Sequence, residues 1–437
     1  HPTRPLTPRP HAHVRPIPKP MADPNDPAPP PGPAAPDPAA ADLPSAGAVV
    51  ALTAVALLSL GVVMVSSAGM HVGSPDDPAV TFRSVLTSRS TIFMAAALAA
   101  LALFAHLPAR KIASPTGPVA PRLPLLLPLA VGLLLLVYVP GIGEARNGAH
   151  RWIALPAGFT VQPSEFAKWA LIPVLAWWCH TRRAVMDRFL PGLLPPLLAL
   201  GLVVVLIVKE DLGTGVLVGA AGCLVLVAGG ARLWHFVFLS PIALLGALGA
   251  VASSPYRLER IRAFIDPFAD PDDSGYHVIQ SLVAIANGGG AGRGLGFGLQ
   301  KFGYLPEDTT DFLFAIVCEE LGLAGAALVL ALYAALLLAL HHVVRRTDHT
   351  FLKLSALGVF ATIGGQALMN LVVVTGLAPT KGIALPLMSS GGTGWILTAA
   401  ALGAVIAVDK HNRRDDHKPA PVSEPDPAPA RAQAVPQ

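Results

Sequence analysis

Residues 311–340 read DFLFAIVCEELGLAGAALVLALYAALLLAL: one aspartate, a pair of glutamates at Glu319 and Glu320, then twenty residues from Leu321 to Leu340 without a charge. A bilayer crossing takes roughly 20 consecutive apolar residues in helical form, so this stretch reads as a membrane-spanning helix with Asp311 in its first turn. Apolar windows of the same kind place further helices at 47–70, 91–107, 123–139, 163–180, 191–208, 212–229, 233–252, 352–377 and 391–408. The chain is therefore expected to be an all-α polytopic membrane protein with ten transmembrane helices.

Composition agrees. Of 437 residues, 53% are hydrophobic and 13% are charged, against about 25% charged in an ordinary soluble domain, which excludes a water-soluble globular enzyme. The net charge is +4 and the basic residues are scattered through short loops, so no nucleic-acid partner is expected. Cys179, Cys223 and Cys318 fall in or at the ends of apolar segments without metal-ligand spacing, and read as small buried hydrophobes.

Residues 1–45 contain sixteen prolines, and the stretch after residue 410 becomes polar and then rich in Pro and Ala. Such compositions cannot bury enough surface to fold, so 1–45 and 411–437 are expected to be disordered tails around a membrane domain spanning 46–410. No cleavable signal sequence is apparent, and the first helix is expected to serve as an uncleaved anchor. Met21 opens an acidic stretch behind a basic one, so residues 1–20 are expected to precede the natural start.

Lysine and arginine in the short loops set the orientation. With the N-terminus in the cytoplasm, the inner connections carry Arg110, Lys111 and Arg122, then Arg182, Arg183 and Arg188, then Arg232, then Arg345 and Arg346, and the tail carries Lys410, Arg413 and Arg414. The outer connections then hold Arg83, Arg89, Arg146, Arg151, Lys209 and Lys381. Both termini are expected inside. The long polar connection 253–310, between helices seven and eight, falls outside, and a connection of that length is usually functional. Its short amphipathic pieces, 256–264 and 278–286, suit a membrane surface.

Charged groups at membrane depth cost several kcal/mol unless paired, so four clusters near helix ends stand out. The first holds Arg151-Trp152-Ile153 after Asn147 and Gly148, then Gln162-Pro163-Ser164-Glu165 and Lys168. Pro163 suits a first helical turn, and Glu165 and Lys168 share a face, either as an internal ion pair or with Lys168 and Arg151 facing an anionic head group. The second is Lys209-Glu210-Asp211-Leu212-Gly213-Thr214, a polar turn in which Asp211 can cap the following helix. The third runs from Lys301 through Tyr304-Leu305-Pro306-Glu307-Asp308-Thr309-Thr310 to Asp311, then Glu319 and Glu320. A threonine cap with Asp311 on the helix dipole would account for one acid but not for the group. The fourth, Thr380-Lys381-Gly382 to Ser389-Ser390-Gly391-Gly392-Thr393-Gly394, breaks the helical pattern as backbone lining a cavity does, or else is a tight outer turn with Lys381 snorkelling to the interface. By residue type, an acid at a helix start with two or three cations from other segments suits a lipid-linked pyrophosphate and a hydroxyl nucleophile.

The third and fourth clusters resemble the SEDS family, the FtsW, RodA and SpoVE proteins, from about residue 46 to 410. The resemblance also takes in Arg151-Trp152-Ile153, Gln162-Pro163-Ser164-Glu165 with Lys168, Asp211-Leu212-Gly213-Thr214, 257–264, Asp266-Pro267 and Gly288-Gly289-Gly290. Lys381 favours the FtsW-like branch. Three departures stand out: Asp308 and Thr309 replace the customary Ala and His before Thr310-Asp311, Ser389-Ser390-Gly391-Gly392-Thr393-Gly394 replaces the usual Ser-Tyr-Gly-Gly-Ser-Ser and loses its tyrosine, and Glu210 replaces a customary proline.

The resemblance implies a peptidoglycan glycosyltransferase that polymerises lipid II into β-1,4-linked glycan at the outer face of the bacterial plasma membrane, in division or elongation. It implies Asp311 as the catalytic residue. Substrate contacts are expected from Lys381, Arg151, Lys168, Glu165, Glu307, Ser389 and Thr380. A divalent cation, Mg2+ or Mn2+, could share the charge on the leaving diphosphate, although no motif marks its site. Expected partners are a class B penicillin-binding protein that crosslinks the strands, other divisome or elongasome membrane proteins, and lipid II with a polyprenyl-pyrophosphate-linked glycan. The rival readings are a lipid II flippase and a division scaffold.

Overall fold

A computed structural model describes residues 44–69, 86–114, 120–146, 149–156, 160–390 and 392–416. Most of both expected tails, Met21, Arg83, Asn147, Gly148 and Gly391 lie outside the described residues.

Helices occupy all ten expected positions. They are α1 (Ala46–Ala68), α2 (Arg89–Ala105), α3 (Leu126–Leu136), α4 (Pro163–Thr181), α5 (Leu194–Glu210), α6 (Leu212–Ala228), α7 (Leu233–Ala252), then α10 (Leu313–Arg346), α11 (Thr350–Val374) and α12 (Thr393–Asp416). Their starts follow local chemistry. Ser45 and Ser88 accept from the amides of Ala48 and Thr91, Asp211 accepts from Thr214, and Pro163 takes the first helical position of α4.

Among the described residues, six helical stretches are long and apolar enough to cross a membrane unaided: α1, 189–210, α7, α10, α11 and α12. Shorter apolar helices cover 89–105, 121–136 and 212–228, and α4 carries Glu165 and Lys168 in its first turns. The protein is thus a nearly all-helical, multi-pass membrane protein, and helix length alone does not fix the number of crossings at ten. In α7 no residue is buried, and Trp234 and Phe238 are 69% and 75% exposed. An apolar helix with so open a surface suits contact with lipid.

Three features depart from the sequence expectations. The first is a small antiparallel sheet, β1 (Gly143–Arg146), β2 (Ala149–Ala154) and β3 (Thr160–Val161), between α3 and α4. Glu144 pairs with Trp152 and Ile153 with Val161, with an irregular step between Glu144 and Ala145. Strands this short leave no readable alternation. The second is the end of α12, which continues past Lys410 to Asp416 into the expected tail. It is held there by side chains: Asp409 accepts from the Gly47 amide and pairs with Arg413, and Lys410 donates to the Ala105 carbonyl.

The third is a break in the tract that opened the sequence reading. The helix does not run unbroken from residue 311: it begins at Leu313 and is interrupted at Gly322, where φ is 62° and ψ is −154°. That left-handed conformation suits glycine, and a side chain there would strike the Gly292 amide. The long connection folds onto the break. It contains α8 (Pro255–Ile265) and α9 (Tyr276–Gly288), at the positions of the two amphipathic pieces. Rather than only lying on a membrane surface, α9 packs against α10, burying Val278, Ser281, Ala284 and Gly288. The amides of Arg293 and Gly294 bond the carbonyls of Glu319 and Glu320, and Leu323 donates to the Gly289 carbonyl. These bonds satisfy backbone groups that the interrupted helix leaves open.

Candidate active site

Polar residues gather where α4, α6 and α10 begin and α5 and α11 end. Asp311 lies in the turn before α10. Glu307, at φ 56°, directs its carbonyl to the amides of Thr310 and Phe312, each at 3.2 Å, while the Thr310 hydroxyl donates to its carboxylate at 2.8 Å. The residue at the helix start is Phe312, with no side-chain cap. Thr310 is therefore spent on Glu307, and a threonine cap with Asp311 on the dipole is not the arrangement found. The Asn370 amide, from α11, donates at 2.7 Å to the backbone carbonyls of both Asp311 and Ile383. It thus fastens the base of this turn to the segment after α11.

The Asp311 carboxylate is half-buried, and none of the hydrogen bonds described reaches it. Gly382 lies against it, between it and Arg151: a methyl placed on Gly382 would lie 3.2 Å from Oδ2 of Asp311 and 3.7 Å from Nη1 of Arg151. Burial pushes its pKa up to about 7, helped by the negative charges of Glu307 and Asp211, while Arg260 and Arg151 pull the other way. Asp311 thus titrates near neutrality.

Arg151 comes from β2. Its Nε and Nη2 donate to the Glu210 carbonyl at 3.0 and 2.6 Å, and Nη1 lies 3.9 Å from Asp211 Oδ2. Its side chain is 32% exposed. The Glu210 side chain accepts from the Tyr138 hydroxyl and the His150 amide, both at 2.8 Å. The residue that departs from the family pattern therefore ties the sheet to α5. Asp211 caps α6, accepting from the Thr214 amide and hydroxyl at 3.0 and 2.9 Å.

The remaining expected contacts fall into two groups. Lys381 is half-buried with no hydrogen bond or ion pair described at its ammonium. Thr380 is buried and its carbonyl accepts from Arg260, and Glu307 is exposed at the rim. The second group is bonded internally. Lys168, 2% exposed, donates at 2.8 Å to both Glu165 and Gln366, and Gln366 in turn donates to the Ala384 carbonyl. Of the two readings of this pair, the structure has the internal ion pair. Ser389 is buried, accepting from the Leu385 amide, and its carbonyl accepts from Trp395. It shapes the turn rather than facing an open cleft.

Sequence reasoning overlooked Asn370, Gln366 and Arg260. Two amides four residues apart on an apolar helix are a signal, because buried polar groups in such helices need partners. Arg260 gave no such signal, since a charged residue on a polar loop helix is ordinary.

Asp211 has both carboxylate oxygens engaged by Thr214. Among the described residues no three His, Cys, Asp or Glu side chains converge as a metal-binding group. The chemistry below is derived from protein side chains.

A helical membrane protein with a titratable carboxylate among cations at one end of its bundle is the class that fold and site define. A family profile described as "Cell cycle protein", FTSW_RODA_SPOVE, matches residues 48–414, and the chain belongs to that family. It is 42% identical over 294 residues to stage V sporulation protein E of Bacillus subtilis, covering 66% of this chain and 79% of that protein. It is 38% identical over 381 residues to a probable peptidoglycan glycosyltransferase FtsW of Alkalilimnicola ehrlichii, covering 86% and 92%. Relatives named FtsW fit the branch that Lys381 favours.

Among solved structures, one similar chain comes from work on a peptidoglycan synthase complex coordinating polymerization and crosslinking. Its TM-score is 0.65 at 27% identity, over 84% of this chain and 98% of that one. The rod shape determining protein RodA of Thermus thermophilus matches with a TM-score of 0.57 at 26% identity, over 83% and 96%.

Proposed function

We propose that this chain is a peptidoglycan glycosyltransferase that joins lipid II units into β-1,4-linked glycan, with Asp311 as general base. The observation that carries the assignment of Asp311 is its carboxylate: half-buried, without a hydrogen bond from the described residues, beside Arg151 and titrating about 7. The relatives named peptidoglycan glycosyltransferase support the activity.

In this reaction the 4-hydroxyl of the acceptor sugar attacks the anomeric carbon of the lipid-linked donor. A new C–O bond forms as the bond to the diphosphate breaks, and the polyprenyl diphosphate departs with the electron pair. Turning an α-linked diphosphate into a β-linkage requires inversion, hence one displacement and one base. Asp311 accepts the hydroxyl proton, and a pKa near the working pH balances the fraction ionised against basicity. The departing charge needs fixed cations. Lys381, whose ammonium has no bond described, and the partly exposed Arg151 fill that role. Thr380 and Glu307 serve as further contacts, while the internally bonded Glu165–Lys168–Gln366 chain and the buried Ser389 support the site from behind.

The site faces outward under the orientation with both termini in the cytoplasm, as substrates delivered to the outer leaflet require. A class B penicillin-binding protein is the proposed partner, supported by the similarity to a chain of a complex that couples polymerization to crosslinking.

The test uses purified full-length protein with lipid II in detergent. A polymerase makes glycan with no membrane to cross, whereas a flippase or scaffold makes none. Removing residues 1–45 leaves the activity in place. Glycan formation undiminished by Asp311→Asn overturns the assignment of the base.

A further inference from the structure

The loop helix α8 reaches the active site through one side chain. Arg260 lies over the Tyr256 ring at 4.5 Å and is hydrogen-bonded to its hydroxyl, which fixes the guanidinium plane. Its Nη1 donates at 3.0 Å to the Thr380 carbonyl, 120 residues away in sequence. Two residues beyond that carbonyl is Gly382, where an added methyl would be tight against the Asp311 carboxylate, at 3.2 Å, and in ordinary contact with the Arg151 guanidinium, at 3.7 Å. Of the helix's two further arginines, Arg257 and Arg262, the first points elsewhere: Arg257 donates to the carbonyls of Ala250, Val208 and Lys209, at the ends of α7 and α5. Arg257 and Arg260 therefore anchor one helix at two places, and Arg260 holds the end bonded to the turn.

We propose that Arg260 is a positioning residue, which, by holding the Thr380 carbonyl from the loop helix, sets the 380–382 turn against Asp311 and couples the loop to the general base. The inference rests on the reading of Asp311 as that base. Its electrostatic consequence has a definite sign. The charges that bear on Asp311 are Glu307 on its own turn and Asp211 at the start of α6, which raise its pKa, and Arg151 from β2 and Arg260 from α8, which lower it. Lys381 sits on the turn itself. Removing Arg260 leaves the carboxyl harder to ionise and its turn looser.

The experiment measures the pH–rate profile of lipid II polymerisation, with kcat and KM, for the wild-type chain, Arg260→Gln, Arg260→Lys and Arg257→Gln. Backbone hydrogen exchange over 380–386 is followed in the same proteins. Arg260→Gln is expected to lower kcat about tenfold, since small displacements of reacting groups are expensive, with KM nearly unchanged. Its acidic limb moves to higher pH by up to about one unit, and exchange over 380–386 speeds up. Arg260→Lys keeps the limb near its wild-type position, because the charge remains, with an intermediate rate. Arg257→Gln leaves the limb in place.

An unmoved limb or unchanged exchange in Arg260→Gln overturns the proposal. So does a rise in KM at constant kcat, which would make Arg260 a substrate contact. Failure of the base assignment is read separately, from Asp311→Asn retaining its rate, and takes the coupling with it. An inactive Asp311→Asn with an unmoved Arg260→Gln limb sinks the role of Arg260 alone.

Discussion

Two groups of acids flank the first turns of α10, and they are treated in opposite ways. Glu320 is completely enclosed: it accepts from Ser67 and from Lys301 at 2.8 Å, and neither its side chain nor that of Lys301 is exposed. Glu319 accepts from the amides of Leu299 and Gln300 at 2.9 and 3.2 Å. Asp311, one short stretch earlier, is only half-buried, yet none of the hydrogen bonds described reaches its carboxylate. Where an acid serves to hold the loop on the bundle, the fold supplies its donors. At Asp311, the proposed general base, none is supplied from the described residues, and burial beside other carboxylates lifts its pKa toward neutrality.

The contrast can be broken at either end. Asp311→Asn should lower polymerisation by about 10² to 10⁴, the usual worth of a general base, while leaving expression and monodispersity in detergent intact. Lys301→Met should do the reverse, stranding Glu320 inside and costing about 3–5 kcal/mol, as breaking a buried pair does. It is read as a large drop in Tm, with Lys301→Met/Glu320→Gln recovering part of it. A Lys301→Met protein of unchanged Tm would place the two acid groups in one category after all.

Smaller effects sharpen the picture. If a fixed charge receives the leaving diphosphate, Lys381→Met should slow polymerisation by about tenfold and Lys381→Arg by less. Equal losses would point to the shape of the turn instead.

A last effect is on stability. The carboxyl of Asp311 titrates at about 7 in the folded chain against an ordinary value of 3.8, so the folded state binds the proton more tightly and stability falls as pH rises between the two. Asp311→Asn should therefore be more heat-stable than wild type above about pH 7, with the gain fading toward about pH 4. A gain independent of pH would separate the stabilisation from ionisation.

Much of this was legible from residue order. Ten apolar tracts gave ten helices because each carries its own length and hydropathy, and Asp211 could be read as a cap because capping is local. The Glu165–Lys168 pair was visible as two residues three apart on one helical face. What stayed hidden depends on distant partners. No local pattern announces that Gly322 will break its helix, because the reason lies in the Gly288–Gly292 strip pressed against it. Likewise, nothing in the sequence around Lys301 or Ser67 says that they meet at Glu320, 19 and 253 residues away. The hairpin carrying Arg151 was missed because its order comes from Glu210 on another helix.

The Lys301–Glu320 clasp also bears on how the chain is assembled. In hydrocarbon, two adjacent glutamates would be a heavy burden at the head of a helix, and the groups that relieve it come from residues synthesised earlier, in the segment from Gly298 to Lys301. The opening turns of that helix therefore cannot settle as an independent hairpin or single insertion event. Their acids find their donors only when the connection that precedes them has docked.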